Sequence, residues 1–217
     1  MLTPDRDEIL RYLGYRGAEP DPETENSIDE CLATLLPELQ PREIHRFFPL
    51  QRTGEHSLRI EGMEVTSRAL SRSLRDCEEV CLFAATIGFA PDRLAARFSA
   101  ARKMSRAVII QAAGAALIEA WCDEVSDMIR REAAARGLWA RPRFSPGYGD
   151  FPLSFQEDLF RILNVQKTIG VTLTESLLMM PSKSVTAVTG LSQKDASCPA
   201  KGCEMCGMAG TCPYSRR

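Results

Sequence analysis

Val80-Cys81-Leu82-Phe83-Ala84-Ala85-Thr86-Ile87 is a short run, apolar but for Thr86, and Gly88 bounds it. A run of this length ended by a glycine predicts a strand buried on both faces. Toward the C-terminus, Pro91-Asp92 opens a helical region that carries Leu94 and Phe98, then Val108, Ile109, Ala112, Ala116, Leu117, Trp121, Val125 and Met128. Arg130 and Arg131 lie near its end, where cations complement the helix dipole, and Gly137 closes it. Its length predicts a break near residues 99–103. Toward the N-terminus, Ala69, Leu70, Leu74 and Cys77 mark another helix.

Farther out the signals are local. Thr3-Pro4-Asp5 reads as a cap, a first-turn proline and an acid, followed by the apolar face of Ile9, Leu10 and Leu13. Asp21-Pro22-Glu23 repeats that start before Ile28, Cys31, Leu32, Leu35 and Leu36, and Pro37 stops the run. Residues 42–65 read as extended, with turns near Gly54 and at Glu61-Gly62. Residues 138–153 lack periodicity and read as a loop. Ser154-Phe155-Gln156-Glu157 fits a capping box. Residues 177–180 and 185–191 flank Pro181-Ser182-Lys183-Ser184 as in a β-hairpin. Helices mixed with antiparallel hairpins, without regular βαβ alternation, predict an α+β fold with a twisted, mainly antiparallel sheet. Three parts are expected: 1–79, a helical and extended segment packing on the core; 80–191, the main domain; and 192–217, a cysteine-rich tail.

Composition narrows the function classes. The chain has 217 residues, 44% hydrophobic and 26% charged, with a net charge of −2. That balance gives no general pull toward nucleic acid or an anionic membrane. No apolar run approaches the roughly 20 residues that span a bilayer. The opening residues are polar and acidic, unlike a secretory signal, so a cytoplasmic protein is expected. His45 and His56 have no nearby cysteine or acid constellation in sequence, which argues against a hydrolase or a histidine-ligated metal. Cys31, Cys77, Cys81 and Cys122 are scattered through apolar segments and read as small core residues.

Arg143-Phe144-Ser145-Pro146-Gly147-Tyr148-Gly149-Asp150 is the stretch richest in chemistry. Gly147 and Gly149 permit close backbone approach to a ligand, and Pro146 stiffens the entry. Tyr148 offers a flat face and a hydroxyl, Arg143 a rigid fork for a carboxylate, and Asp150 an acceptor for an ammonium or ribose hydroxyl. The same composition also describes a plain surface turn with an Arg–Asp pair.

The order of motifs adds weight to the ligand reading. Arg143-x-x-Pro146-Gly147-Tyr148, a helix, then Ile169-Gly170-Val171-Thr172-Leu173-Thr174-Glu175-Ser176 and Ser184-Val185 after Pro181 resemble the reactivation domain of cobalamin-dependent methionine synthase, in a free-standing form. Phe83-Ala84-Ala85-Thr86 and Glu119-Ala120 fall in the same register, so the resemblance covers roughly residues 80–191. It implies binding of S-adenosylmethionine, with Arg143 on the methionine carboxylate. Pro146, Gly147 and Tyr148 would line the ligand, and Glu119 would sit near its positive end. It also implies support for reductive methylation of cob(II)alamin, with a flavoprotein as electron donor. The family's paired tyrosines would fall near Ser197-Cys198, where this sequence has none. No Asp-x-His-x-x-Gly cobalamin signature surrounds His45 or His56. Cobalamin is therefore expected on a partner, a methionine synthase lacking its own reactivation domain.

Cys198-x4-Cys203-x2-Cys206-x5-Cys212 has the ligand count and closeness of a tetrahedral thiolate site. Zinc would close a small knuckle, and an iron–sulfur cluster would add redox capability. Two other readings stay open: an iron–sulfur redox module that feeds electrons to the corrinoid, and a non-catalytic adaptor for a corrinoid protein.

Overall fold

The computed structural model describes residues 2–15 and 18–194. Asp5 caps the first helix, α1 (Arg6–Tyr12), accepting from the amides of Asp7 and Glu8. The cap therefore falls two residues after Thr3, because Asp5 is the residue in extended geometry that can reach both amides. Helix α2 (Pro22–Leu35) starts as the sequence predicts, with Asp21 accepting from Thr24 N at 2.9 Å and Pro22 in the first turn. A 3₁₀ turn over Leu36–Glu38 ends it around Pro37.

The predicted extended region forms β1 (Arg42–Arg52), β2 (Ser57–Ile60) and β3 (Met63–Thr66). Helix α3 (Arg68–Ser73) follows, shorter than expected, and leaves Cys77 in the turn beyond it. The apolar run becomes β4 (Glu79–Thr86). Then come α4 (Ala90–Ala100) and α5 (Met104–Ala135), separated where the sequence predicts a break. The remaining elements are β5 (Trp139–Ala140), α6 (Phe155–Leu163), α7 (Val165–Ile169), β6 (Thr172–Leu173), β7 (Met179–Met180) and β8 (Ser184–Ser192).

The main sheet runs β3-β2-β1-β4-β8-β5, with every pairing antiparallel. Together with helices on both faces, this is the expected α+β fold. Strand β4 is central and divides the core by its alternation. Cys81, Phe83, Ala85 and the following Ile87 face α1, α2, α4 and α5. Val80, Leu82 and Ala84 face the other way, toward α3, α6 and α7. Cys31, Cys77, Cys81 and Cys122 are free and buried, as expected of small core residues.

Two further local expectations fail. Ser154 has helical backbone angles and its side chain makes no capping bond. The chain is already turning there, with Phe155 N on Pro152 O and Gln156 N on Leu153 O, so the hydroxyl is not presented to the first-turn amides. The hairpin around residues 181–184 does not form either. Strand β7 pairs with β6, while β8 inserts between β4 and β5. A strand buried along almost its whole length gains more from two hydrogen-bonded partners and two covered faces than from one short partner. Asp92 at the start of α4 accepts from Ser182 N at 2.9 Å and from its hydroxyl, which holds the turn away from β7.

Candidate functional site

The stretch 143–150 leaves the sheet edge just after β5. Phe144 exchanges both backbone bonds with Val188 of β8, at 2.8 and 2.9 Å. Its ring stacks with Phe151 at a centroid separation of 6.1 Å, and Phe151 lies 5.0 Å from Phe155 on α6. These rings fasten the loop to the core on one side of the sheet. Pro146 is buried. Gly147 and Gly149 have φ of +90° and +58°, a region that other residues rarely adopt. Gly147 N donates to Phe151 O at 2.9 Å and Phe151 N to Tyr148 O at 3.0 Å, closing a tight turn. Tyr148 stands at its tip, 66% exposed.

Alternation along the segment sends Arg143 to the opposite side, toward α5. Nη2 of Arg143 donates to Glu119 at 2.7 Å, and Nη1 donates to Asp123 at 2.6 Å and to Ser126 Oγ at 3.4 Å. Burial alone would lower the guanidinium pKa, but Asp123 and Glu119 hold it above its ordinary value. Arg143 and Glu119, expected to serve the same ligand, are thus in direct contact. Asp123 and Ser126 were not anticipated. Their signal was present in the sequence, since positions 119, 123 and 126 share one face of a helix.

Asp150 has a different job from the one its residue type suggests. Its carboxylate accepts from Ser67 Oγ at 2.6 Å, Arg68 N at 2.8 Å and Ala69 N at 3.0 Å. These bonds hold its pKa down at about 2, the Ser67 hydroxyl contributing most. The side chain pins the loop to the start of α3, and no Arg143–Asp150 pair forms. Gly149 sits so close to this helix that an added Cβ would lie 3.1 Å from Ala69 Cβ.

The segment thus presents a cation flanked by two carboxylates on the α5 side and, a few residues on, a glycine turn with an exposed aromatic ring. It offers complementary charge to a zwitterion and a face for a flat group. Cys198, Cys203, Cys206 and Cys212 lie outside the described residues. Among the described residues no group of three or more His, Cys, Asp or Glu side chains is arranged to hold a metal ion. No described helix is long and apolar enough to cross a membrane.

Residues 69–197, more than half of the chain, match the family model described as vitamin B12 dependent methionine synthase, activation domain. The chain is also similar to the MetH reactivation domain, whose crystal structure is bound to AdoHcy, with a TM-score of 0.60 and 21% identity. That match covers 80% of this chain and 66% of the other, so this chain spans just under two thirds of the solved one, and the likeness is one of fold.

Proposed function

Because the chain belongs to the vitamin B12 dependent methionine synthase activation-domain family, we propose that it binds S-adenosylmethionine at the 143–150 segment. In this reading it supports reductive methylation of cob(II)alamin on a separate corrinoid-dependent methionine synthase that lacks a reactivation domain. The observation that carries the reading is the Arg143 guanidinium held by Glu119 and Asp123, four residues before the glycine turn. The amino-acid end of S-adenosylmethionine pairs a carboxylate with two positive centres. A planar fork suits the first and the neighbouring Glu119 suits the second. Pro146 and Gly147 shape the backbone that follows it, and the exposed Tyr148 ring offers a stacking face.

S-adenosylmethionine supplies the methyl group, and a flavoprotein the electron, that return oxidised cobalamin to its methylated form. The part of this chain is position and electrostatics. The solved MetH reactivation domain is bound to AdoHcy, the demethylated product of that donor, which fits the same ligand class.

Calorimetric titration of S-adenosylmethionine tests the reading. Wild type is expected to bind saturably and Arg143→Ala about 10- to 100-fold more weakly, as befits loss of a charged hydrogen-bond pair. Absence of binding at millimolar ligand, alone and with the corrinoid partner, would refute it. A cob(II)alamin methylation assay on the partner, with and without this protein, tests the second half.

The tail quartet Cys198, Cys203, Cys206 and Cys212 is proposed as a thiolate site for zinc or an iron–sulfur cluster. Metal and acid-labile sulfide analysis of anaerobically purified protein separates the two, and absence of both removes the proposal.

A further inference from the structure

We infer that Asp123 is an internal stand-in for the ligand carboxylate: it occupies the Arg143 fork until an incoming carboxylate replaces it, while Glu119 keeps the guanidinium in place. The inference deepens the S-adenosylmethionine reading and rests on it. Both terminal nitrogens of Arg143 are engaged, Nη2 with Glu119 at 2.7 Å and Nη1 with Asp123 at 2.6 Å. Nη1 also meets Ser126 Oγ, so both its N–H donors are taken, and an outside carboxylate gains a strong hold on that nitrogen by displacing Asp123.

The two residents are not equivalent. The Asp123 side chain is 71% exposed and that of Glu119 39%. Separating an exposed ion pair costs little, because water takes over both charges, whereas the more enclosed partner loses more. Asp123 is the acid that yields. Ser126 Oγ, 3.4 Å from Nη1 and itself donating to Cys122 O at 2.7 Å, stays behind as a polar neighbour for the vacated nitrogen. The resting site is thus held closed against weak anions and opens to a carboxylate that other contacts bring close. Glu119, still on Nη2, fixes the plane of the fork during the exchange.

The test compares S-adenosylmethionine with decarboxylated S-adenosylmethionine on wild type and Asp123→Asn, by calorimetry. The variant is expected to bind S-adenosylmethionine roughly two- to fivefold more tightly, the range of an exposed ion pair. It is expected to bind the decarboxylated ligand as wild type does. Thermal melting confirms that the variant is folded. If wild type binds S-adenosylmethionine and Asp123→Asn binds it equally or more weakly, the stand-in role is overturned while the ligand reading survives. Equal tightening toward both ligands also overturns it, since Asp123 would then obstruct binding whether or not the ligand has a carboxylate. If neither protein binds S-adenosylmethionine, the ligand reading and the inference fall together.

Discussion

His45 on β1 should make the protein lose stability on the alkaline side of neutrality. Its Nδ1 lies 2.9 Å from Glu43 and its Nε2 3.2 Å from Glu132 on α5, so the imidazolium donates to a carboxylate at each end. The bond to Glu43 chiefly, then that to Glu132, pushes its pKa from 6.5 up to about 9 against the opposing effect of burial. A group whose pKa is raised on folding contributes fully below its unfolded value. That contribution is present below about pH 6.5 and is lost as pH rises through about 9. A displacement of this size corresponds to about 3 kcal/mol, and screening at the half-exposed Glu132 reduces it to roughly 1–2 kcal/mol. For a chain of this length, each kcal/mol moves the melting temperature by about 2–4 °C. Between pH 6 and 9.5 wild type should therefore lose about 2–8 °C more than His45→Gln. The four described thiols have pKa values raised by burial, and subtracting the variant's curve removes their contribution in any case. Proton NMR of the imidazole gives the midpoint directly. A midpoint near 6.5, with parallel melting curves for the two proteins, would refute the reasoning.

Other outcomes follow from packing and capping. A Cβ at Gly190 would lie 2.6 Å from Cys77 Sγ and 2.7 Å from Leu74 Cδ2, so Gly190→Ala should cost about 1–3 kcal/mol in urea unfolding. Adding Cys77→Ala should recover part of that loss, and a single variant as stable as wild type would contradict the packing argument. Asp150→Asn should speed hydrogen exchange at Arg68 N and Ala69 N and weaken the acid sensitivity of the loop. Its carboxylate contributes above about pH 4 and is lost as pH falls through about 2, so unchanged exchange would refute the pin. Ser154→Ala should alter stability by less than about 0.5 kcal/mol, since the hydroxyl caps nothing, and a larger loss by thermal melting would reinstate the capping box.

Strong periodicity made much of this architecture legible. The 80–87 run, the break before α5 and the Asp21-Pro22 start each depend on a few consecutive residues, and each is found in the structure. What escaped was partner choice. Nothing in residues 177–191 says that β8 pairs with β4, because the ladder is decided by which apolar surfaces meet after nearly a hundred intervening residues. The site shows the same division. Arg143, Pro146, Gly147 and Tyr148 stand together in sequence, and their residue types alone single out the stretch. Asp123, Ser126 and the α3 amides that hold Asp150 reach the loop only through the fold. Asp150 itself shows how a residue type that invites a ligand can be taken up by the backbone next door.

Helix α5 acts as the common axis of these ties. Over its 32 residues it carries Gly114 against Lys183, Glu119 and Asp123 against Arg143, and Glu132 against His45. Adding or deleting one residue between positions 114 and 132 would turn everything beyond it by about 100° and shift it by about 1.5 Å. Such a change would uncouple the Arg143 contacts from strand β1 held by His45, although each half would still be a good helix. Related chains that keep both the Arg143 and the His45 contacts should therefore show gaps and insertions beyond the ends of this interval and none within it.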